Sequence, residues 1–186
     1  DDFNWSGDFP EVWRAAIVDK VQRGNLGKKP ELENEPALYM EVIENSGKQH
    51  TGYVLEIESW VRFLQEIIQA AMELSKKERP LVIRYISNSD KILVEKTIRL
   101  ILADRSAEVW TPDSQSLIGW KRGADLIKNV FALDYDFDQG VPKTPKGPGR
   151  YIDTGEGTWY NLEEHVHSPT NRRDLVAALI ERLEEL

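Results

Sequence analysis

The apolar pattern between residues 80 and 138 restricts the fold more than any other feature of the sequence. After Pro80 the period changes from that of a helix to that of strands, in the runs "LVIRYIS", "KILVEKTIRLILA", "AEVWT", "SLIGW" and "NVFALDYDF". The breaks between these runs are short and rich in turn-forming residues. Several short strands joined by tight turns predict a small antiparallel barrel or a strongly twisted sheet.

The residues before Pro80 predict two helices and a hairpin. The first helix follows Asp8 and Pro10, which suit a helix cap and a first turn. The runs "ALYMEVIE" and "TGYVLEIE" flank a turn-forming segment and predict the hairpin. We expect the second helix, 59–77, to be the central core element, because its apolar residues fall on one face: Trp60, Val61, Leu64, Ile67, Ile68, Ala71 and Met72.

Together these elements predict an α+β fold, in which terminal helices pack outside the small barrel or twisted sheet. Residues 1–140 are predicted to form one α+β core with a central helix, and 80–138 to be its barrel. Residues 141–157 are rich in proline and glycine and predict an extended linker. Residues 158–186 predict a C-terminal helical segment that Thr170 or Asn171 caps.

Composition excludes several functional classes. The absence of cysteine excludes disulfides, thiolate zinc sites and a cysteine nucleophile. A net charge of −8 argues against broad phosphate binding, although it leaves room for a local basic patch. The apolar runs are far shorter than a membrane span, and no signal peptide opens the chain, so we expect a cytoplasmic protein without membrane contact.

The segment "VFALDYDFDQG" permits two interpretations. Asp134, Asp136 and Asp138 match the first three ligand positions of a calcium loop, but the glycine is one residue late and the final glutamate is missing. An extended strand accounts for every residue, with the aspartates facing outward as a partner-binding row. The alternate side chains would then point into the core: Phe131, Leu133, Tyr135 and Phe137.

Two histidines form the main candidate for a metal site. In a strand, His165 and His167 share one face with Glu163, and imidazoles at this spacing bind zinc together with a carboxylate. A metal site needs three or four converging ligands, and the sequence shows no second cluster. The pair is therefore interpreted as surface or capping histidines, and no cofactor is expected. A metal-dependent hydrolase that uses this pair is the alternative.

Basic and aromatic residues alternate through the strand region and predict a ligand site. Arg84 and Arg99 lie in strand-like runs, and "GWKRG" is interpreted as a turn that exposes Trp120 beside two cations. Tryptophan stacking and arginine contacts together bind nucleotides or single strands. The alternative is core tryptophans with ordinary surface cations. The predicted ligand-binding residues are Arg84, Arg99, Trp120, Lys121 and Arg122.

Residues 64–138 resemble the WYL domain, a small SH3-like barrel of bacterial regulators and defence-associated proteins. The resemblance lies in the helix and strand of "LQEIIQAAMELSKKERPLVIRYIS" and in "SLIGWKRGADLIKNVFALDYDF". It implies an SH3-like barrel that senses nucleotides or nucleic acid. This chain departs from the family where "SLIGW" stands in place of the Trp-Tyr-Leu strand.

The sequence thus predicts a non-enzymatic binding or regulatory adaptor module. Its small barrel would recognise a protein partner, a nucleotide or a nucleic acid. Two alternatives stay open: the metal-dependent hydrolase, and an acidic protein that covers a basic surface of a partner through its aspartate row.

Overall fold

A computed structural model of the chain shows an α+β fold. The structure describes residues 4–28, 36–43, 46–89, 92–169 and 174–186. The chain divides into two compact units. The first unit comprises Asp1–Glu78 together with Leu102–Asp104, and the second comprises Arg79–Ile101 together with Arg105–Leu186.

The first unit combines two helices with a small antiparallel sheet. Its elements in chain order are α1 (Glu11–Arg23), β1 (Leu26–Gly27), β2 (Tyr39–Ile43), β3 (Gln49–Val54) and α2 (Ile57–Leu74). The strand order is β1-β3-β2, and the pairing of Val42 with His50 lies within the predicted hairpin. The hairpin prediction is confirmed for the described residues. Helix α2 begins two residues earlier than predicted and ends at Leu74.

The core of the first unit is aromatic. Trp13 of α1 is fully buried; its ring packs against Phe63 of α2, and its indole Nε1 donates a 2.7 Å hydrogen bond to Leu102 O. The Trp60 ring packs nearly perpendicular to the Phe63 ring, with 6.2 Å between the ring centroids. The predicted inward stripe of α2 is wrong at Val61, Leu64 and Ile68, which are exposed. Helix α2 therefore has more apolar surface than the described residues around it bury.

Glu73 of α2 is a buried carboxyl in this core. Its Oε2 accepts a 2.9 Å hydrogen bond from Ala103 N, whereas its Oε1 is buried without a hydrogen bond in the part of the chain that the structure describes. Burial raises the pKa of Glu73 above its usual range, and the hydrogen bond from Ala103 opposes that shift. Glu73 therefore ties the Leu102–Asp104 turn to α2 at an electrostatic cost that depends on pH.

The second unit is built on a six-stranded antiparallel sheet. Its elements are β4 (Leu81–Ser89), β5 (Ile92–Ile101), β6 (Ser106–Trp110), β7 (Gln115–Ile118), α3 (Trp120–Val130), β8 (Asp134–Tyr135), a 3-10 turn (Phe137–Gln139), β9 (Gly149–Asp153), β10 (Trp159–Asn161), β11 (Val166–His167) and α4 (Leu175–Glu184). The order is β10-β9-β4-β5-β6-β7, and β8 pairs with β11 separately. The sheet is open, so the twisted-sheet alternative describes it and the closed barrel does not.

The clearest error of the sequence analysis is helix α3. The segment "KRGAD" was interpreted as a turn and "NVF" as the start of a strand, but residues 120–130 form one helix. Gly123, Leu126 and Val130 are its buried residues, a spacing of three and four that suits a helix. Gly123 lets the helix approach the sheet, because a Cβ there would lie 2.5 Å from Ala107 Cβ.

The predicted linker 141–157 and the predicted C-terminal helical segment 158–186 both contain strands. Strand β9 lies within the first and strand β10 within the second, and the two strands pair with each other. Strand β9 also pairs with β4. The proposed caps Thr170 and Asn171 lie outside the described residues. Helix α4 is capped by Asp174, whose Oδ1 accepts a 3.0 Å hydrogen bond from Ala177 N.

One face of the sheet carries the core of the second unit. Alternate residues of neighbouring strands, such as Ile83, Ile98 and Ile152, pack with Leu126 of α3 and Leu179 of α4. Helix α4 is further anchored at its C-terminal end. There the ammonium of Lys96, buried on this same face, donates 2.9 and 2.8 Å hydrogen bonds to Leu183 O and Glu184 O. Burial lowers the pKa of Lys96.

Replacing Trp13 with alanine should destabilise the protein far more than replacing Leu64. Loss of a buried tryptophan costs about 3–5 kcal/mol through lost burial and cavity formation, whereas Leu64 is already 37% exposed. Urea unfolding of Trp13→Ala and Leu64→Ala at one pH measures both free energies. Equal losses in the two variants would contradict the placement of the core.

Glu73 should make stability fall as pH rises. The pKa of Glu73 is raised in the folded state, so the unfolded state releases this proton at a lower pH than the folded state does. Above the pKa of the unfolded state, rising pH therefore lowers the free energy of unfolding. Glu73→Gln removes this ionisation and keeps an acceptor for Ala103 N. Unfolding free energies between about pH 5 and pH 8 should therefore favour the variant increasingly over the wild type, with Glu58→Gln on the exposed side of α2 as the control. A constant difference at every pH would argue against a raised pKa.

Candidate functional site: an arginine face on the six-stranded sheet

The face of the sheet opposite α3 and α4 carries two rows of polar residues in register. Residues that pair directly across antiparallel strands point to the same side of the sheet. The pairs Asp153–Arg84, Arg84–Thr97 and Thr97–Trp110 therefore form one row across β9, β4, β5 and β6. Arg99 pairs with Glu108 in the next row. The alternate residue Ile83 belongs to the core, so Arg84 lies on the opposite side.

Arg84 is held at one edge of its guanidinium. Its Nε lies 3.4 Å from Oδ2 of Asp153, a carboxylate that is completely buried. The arginine side chain itself is 48% exposed. Within the described ranges its Nη1 and Nη2 make no hydrogen bond or ion pair with protein. These two nitrogens are available to a ligand.

Glu108 supports the other two functional groups of this face. Its Oε2 accepts a 2.9 Å hydrogen bond from Trp110 Nε1 and lies 3.7 Å from Arg99 Nη1. The glutamate side chain is 16% exposed, whereas the arginine side chain is 38% exposed. Trp110 is 39% exposed, so its ring is held by its polar edge while part of its surface meets solvent.

We call Arg84, Thr97, Arg99, Glu108 and Trp110 the arginine face. Strands in a sheet are spaced by about 4.8 Å, so the backbones at Arg84 and Trp110, two strands apart, are separated by roughly 10 Å. Arg99 lies two residues along β5 from Thr97 and is a diagonal neighbour of Arg84. The face therefore combines two cations and one accessible aromatic ring within the dimensions of a nucleotide.

The other predicted ligand residues do not lie on this face. Trp120, Lys121 and Arg122 form the first turn of α3, which packs on the core side of the sheet. Lys121 and Arg122 line a cavity of 510 Å³ that Arg182, Asp125 and Glu185 also line. The guanidinium of Arg105 covers the Trp120 ring at 5.3 Å. The prediction of a GWKRG turn was wrong, and the predicted set separates into two groups on opposite sides of the sheet.

The aspartate row lies at a short exposed segment rather than in a long strand. Asp134, Asp136 and Asp138 are all exposed. Leu133 is buried and Tyr135 half-buried as predicted, but Phe131 and Phe137 are exposed. Phe131 lies at the C-cap of α3 and Phe137 in the 3-10 turn, so neither belongs to the strand, which comprises only residues 134–135. The Tyr135 hydroxyl donates a 2.9 Å hydrogen bond to Val130 O, and burial raises its pKa.

The histidine pair and the aspartate row are neighbours, which the sequence analysis did not foresee. His167 pairs with Asp134 in the β8–β11 ladder, and His165 O accepts a 2.9 Å hydrogen bond from Asp136 N. Glu163 is engaged elsewhere, since its Oε1 lies 2.6 Å from Arg150 Nη1. No group of three or more His, Asp or Glu residues with metal-binding geometry occurs among the described residues. The metal-site hypothesis therefore gains no further ligand from the described part of the fold.

Comparisons of the chain with models of protein families, with curated protein sequences and with solved structures found no match. The resemblance to the WYL domain stays a prediction. In the described part of the chain, every helix is too short or too polar to span a bilayer.

Three members of the arginine face, Thr97, Glu108 and Trp110, were missed by the sequence analysis, as was Asp153 beside it. None of these four residues was assigned to a ligand site from the sequence. The alternation of "IRY" and "TIR" already indicated that Arg84 and Arg99 face away from a core. The register that brings Asp153 and Trp110 beside them depends on strand pairing, which local periodicity does not encode.

Proposed function

We propose that the protein is a non-enzymatic binding module that recognises a nucleotide or a single-stranded nucleic acid on its arginine face. The observation that carries the proposal is the pair of arginines with unengaged donors beside a partly exposed tryptophan. The proposal includes no catalytic step. The likeness of residues 64–138 to the WYL domain implies the same class of ligand.

The three side chains match the two parts of a nucleotide. Arginine donates paired hydrogen bonds to phosphate oxygens and stays charged at any physiological pH. Tryptophan offers a flat ring on which any base stacks. A ligand with both a phosphate and a base would contact Arg84 or Arg99 and Trp110 at the same time.

The acidic net charge does not oppose a site of this size. Exposed charges further apart than about 8–10 Å are largely screened at physiological ionic strength. The charges close to the ligand therefore govern binding. At the arginine face these charges are two partly exposed arginines, one mostly buried glutamate and one fully buried aspartate. We therefore expect the ligand to contact a small area of the protein, and we expect the affinity to depend only weakly on the length of the ligand.

Arg84→Ala and Trp110→Ala should each weaken binding to a fluorescein-labelled oligothymidylate. Loss of a stacked base costs about 1–3 kcal/mol, and loss of one phosphate contact should lower the salt slope of log K by about 0.7. Fluorescence anisotropy at several salt concentrations measures both quantities, and thymidine monophosphate as competitor distinguishes a nucleotide site from a strand site. Circular dichroism checks that each variant is folded.

Lys121→Ala is the matched control, because it removes an exposed cation on the other side of the sheet. It should leave affinity within a factor of about two, because a distant exposed charge is screened. A larger loss in Lys121→Ala than in Arg84→Ala would move the ligand to the cavity beside α3. No binding of wild type to either probe at low salt would refute the nucleotide proposal.

A protein partner at the aspartate row is the second candidate function. The observation that favours it is Phe137, which is 76% exposed and lies between Asp136 and Asp138. An exposed aromatic residue surrounded by carboxylates matches a partner surface with an apolar pocket and a basic rim. This is the acidic-cover alternative of the sequence analysis, now with a hydrophobic centre.

Phe137→Ala should abolish capture of such a partner, and Asp136→Asn should weaken it in a salt-dependent way. Loss of a buried aromatic anchor costs about 2 kcal/mol or more, whereas a rim charge acts mainly through association rate and ionic strength. Pull-downs from the cells of origin at low and high salt make the comparison. Phe131→Ala, at another exposed phenylalanine, is the control. Equal capture by wild type and Phe137→Ala would exclude this surface.

A further inference from the structure

Asp153 lies on the side of the sheet that carries the arginine face. Among the described residues of the second unit, it is the only charged residue on that side that is completely buried. It ends β9 and pairs with Arg84 on one side and with Trp159 on the other. A buried carboxylate is costly unless hydrogen bonds and an opposite charge compensate it. Its two oxygens have different partners, and the difference indicates its role.

The first oxygen of Asp153 holds the loop that follows β9. Its Oδ1 accepts hydrogen bonds of 2.9 Å from Gly155 N and 3.0 Å from Gly157 N. Both glycines have positive φ angles, 113° and 79°, which other residues rarely adopt. A Cβ at Gly155 would lie 2.9 Å from Val82 O, so the loop passes directly over β4. The Oδ1 atom of Asp153 therefore stabilises the conformation of this loop.

The second oxygen faces Arg84. Asp153 Oδ2 is buried and makes no hydrogen bond in the described part of the chain, and its nearest opposite charge is Arg84 Nε at 3.4 Å. The ion pair engages the guanidinium at Nε and leaves Nη1 and Nη2 without a hydrogen bond or ion pair to the described residues. Because an arginine on a surface otherwise samples many rotamers, a fixed carboxylate at Nε restricts it before a ligand arrives.

We propose that Asp153 is a positioning residue, which orients Arg84 so that its two Nη atoms form a preset fork for the phosphate of the ligand. The inference rests on the proposed nucleotide or single-strand function of the arginine face. Asp153 does not touch the ligand. It acts by removing rotamer freedom from Arg84 that binding would otherwise have to remove.

The test is a double-mutant cycle with Asp153→Asn and Arg84→Ala, measured with the labelled oligothymidylate and with thymidine monophosphate. Asparagine keeps an acceptor for Gly155 N and Gly157 N but presents an NH₂ group to Arg84 Nε. We expect Asp153→Asn to weaken binding by about 2- to 12-fold in the wild-type background, the equivalent of one immobilised side chain. In the Arg84→Ala background it should change nothing.

The cycle separates positioning from a structural role. If Asp153 only maintained the loop, its substitution would weaken binding equally in both backgrounds, and that result would overturn the inference. Unchanged affinity of Asp153→Asn in the wild-type background, with Arg84→Ala still weakened, would also overturn it while leaving the proposed function standing. Absence of binding by the wild type would refute the proposed function and this inference together.

A second variant covers the case in which Asp153→Asn does not fold. Arg84→Lys keeps the charge but lacks the Nε that Asp153 holds and the paired Nη donors. We expect it to weaken binding at least 3-fold while preserving the salt slope, because the phosphate contact stays electrostatic. Affinity equal to that of wild type would show that charge alone suffices and would overturn the inference.

Discussion

The packing of one side of the six-stranded sheet against α3 and α4 governs the rest of the second unit. Ile83 pairs with Ile98 on that side, and Ile152 pairs there with Tyr85, so the residues that alternate with them along each strand are directed to the other side. A slip of one residue in β4 would bury Arg84 and expose Ile83. Hydrophobic burial thus sets the register, and the register in turn assembles the arginine face.

The buried charged side chains of the described residues share one role: each binds main-chain groups that secondary structure leaves unpaired. Lys96 donates to the last carbonyls of α4, Asp153 accepts from two amides of a glycine loop, and Glu73 accepts from the amide of Ala103. Such bonds fix the ends and turns of the fold. The surface network of Arg150, Glu163 and Glu184 contributes less to stability, since exposed ion pairs contribute little.

The sequence predicted the fold class, the hairpin and strands β4–β6, because alternation in "LVIRY", "VEKTIRL" and "AEVW" is regular. It missed α3, where Gly123 suggested a turn but serves to bring the helix close to Ala107. It missed β9 because the prolines before it suggested a linker. Arg84 and Arg99 were predicted as site residues from local pattern, whereas Asp153 and Trp110 join them only through long-range pairing. Local periodicity holds no information on which strands become neighbours.

The pairing of β4 with β9 joins residues that are 61 to 69 positions apart in the chain, from Asn88–Gly149 to Arg84–Asp153. Loop closure over that distance is entropically unfavourable and slow compared with forming the β4–β5–β6 meander. A ribosome delivers β4, β5 and β6 well before β9, so a nascent chain that stops short of residue 149 already displays Arg84 without its carboxylate partner. Synthesis of the C-terminal part of the chain, which supplies β9, is therefore the step that gives Arg84 its carboxylate partner, and the order of synthesis delays the assembly of the Arg84–Asp153 pair until that strand has been added.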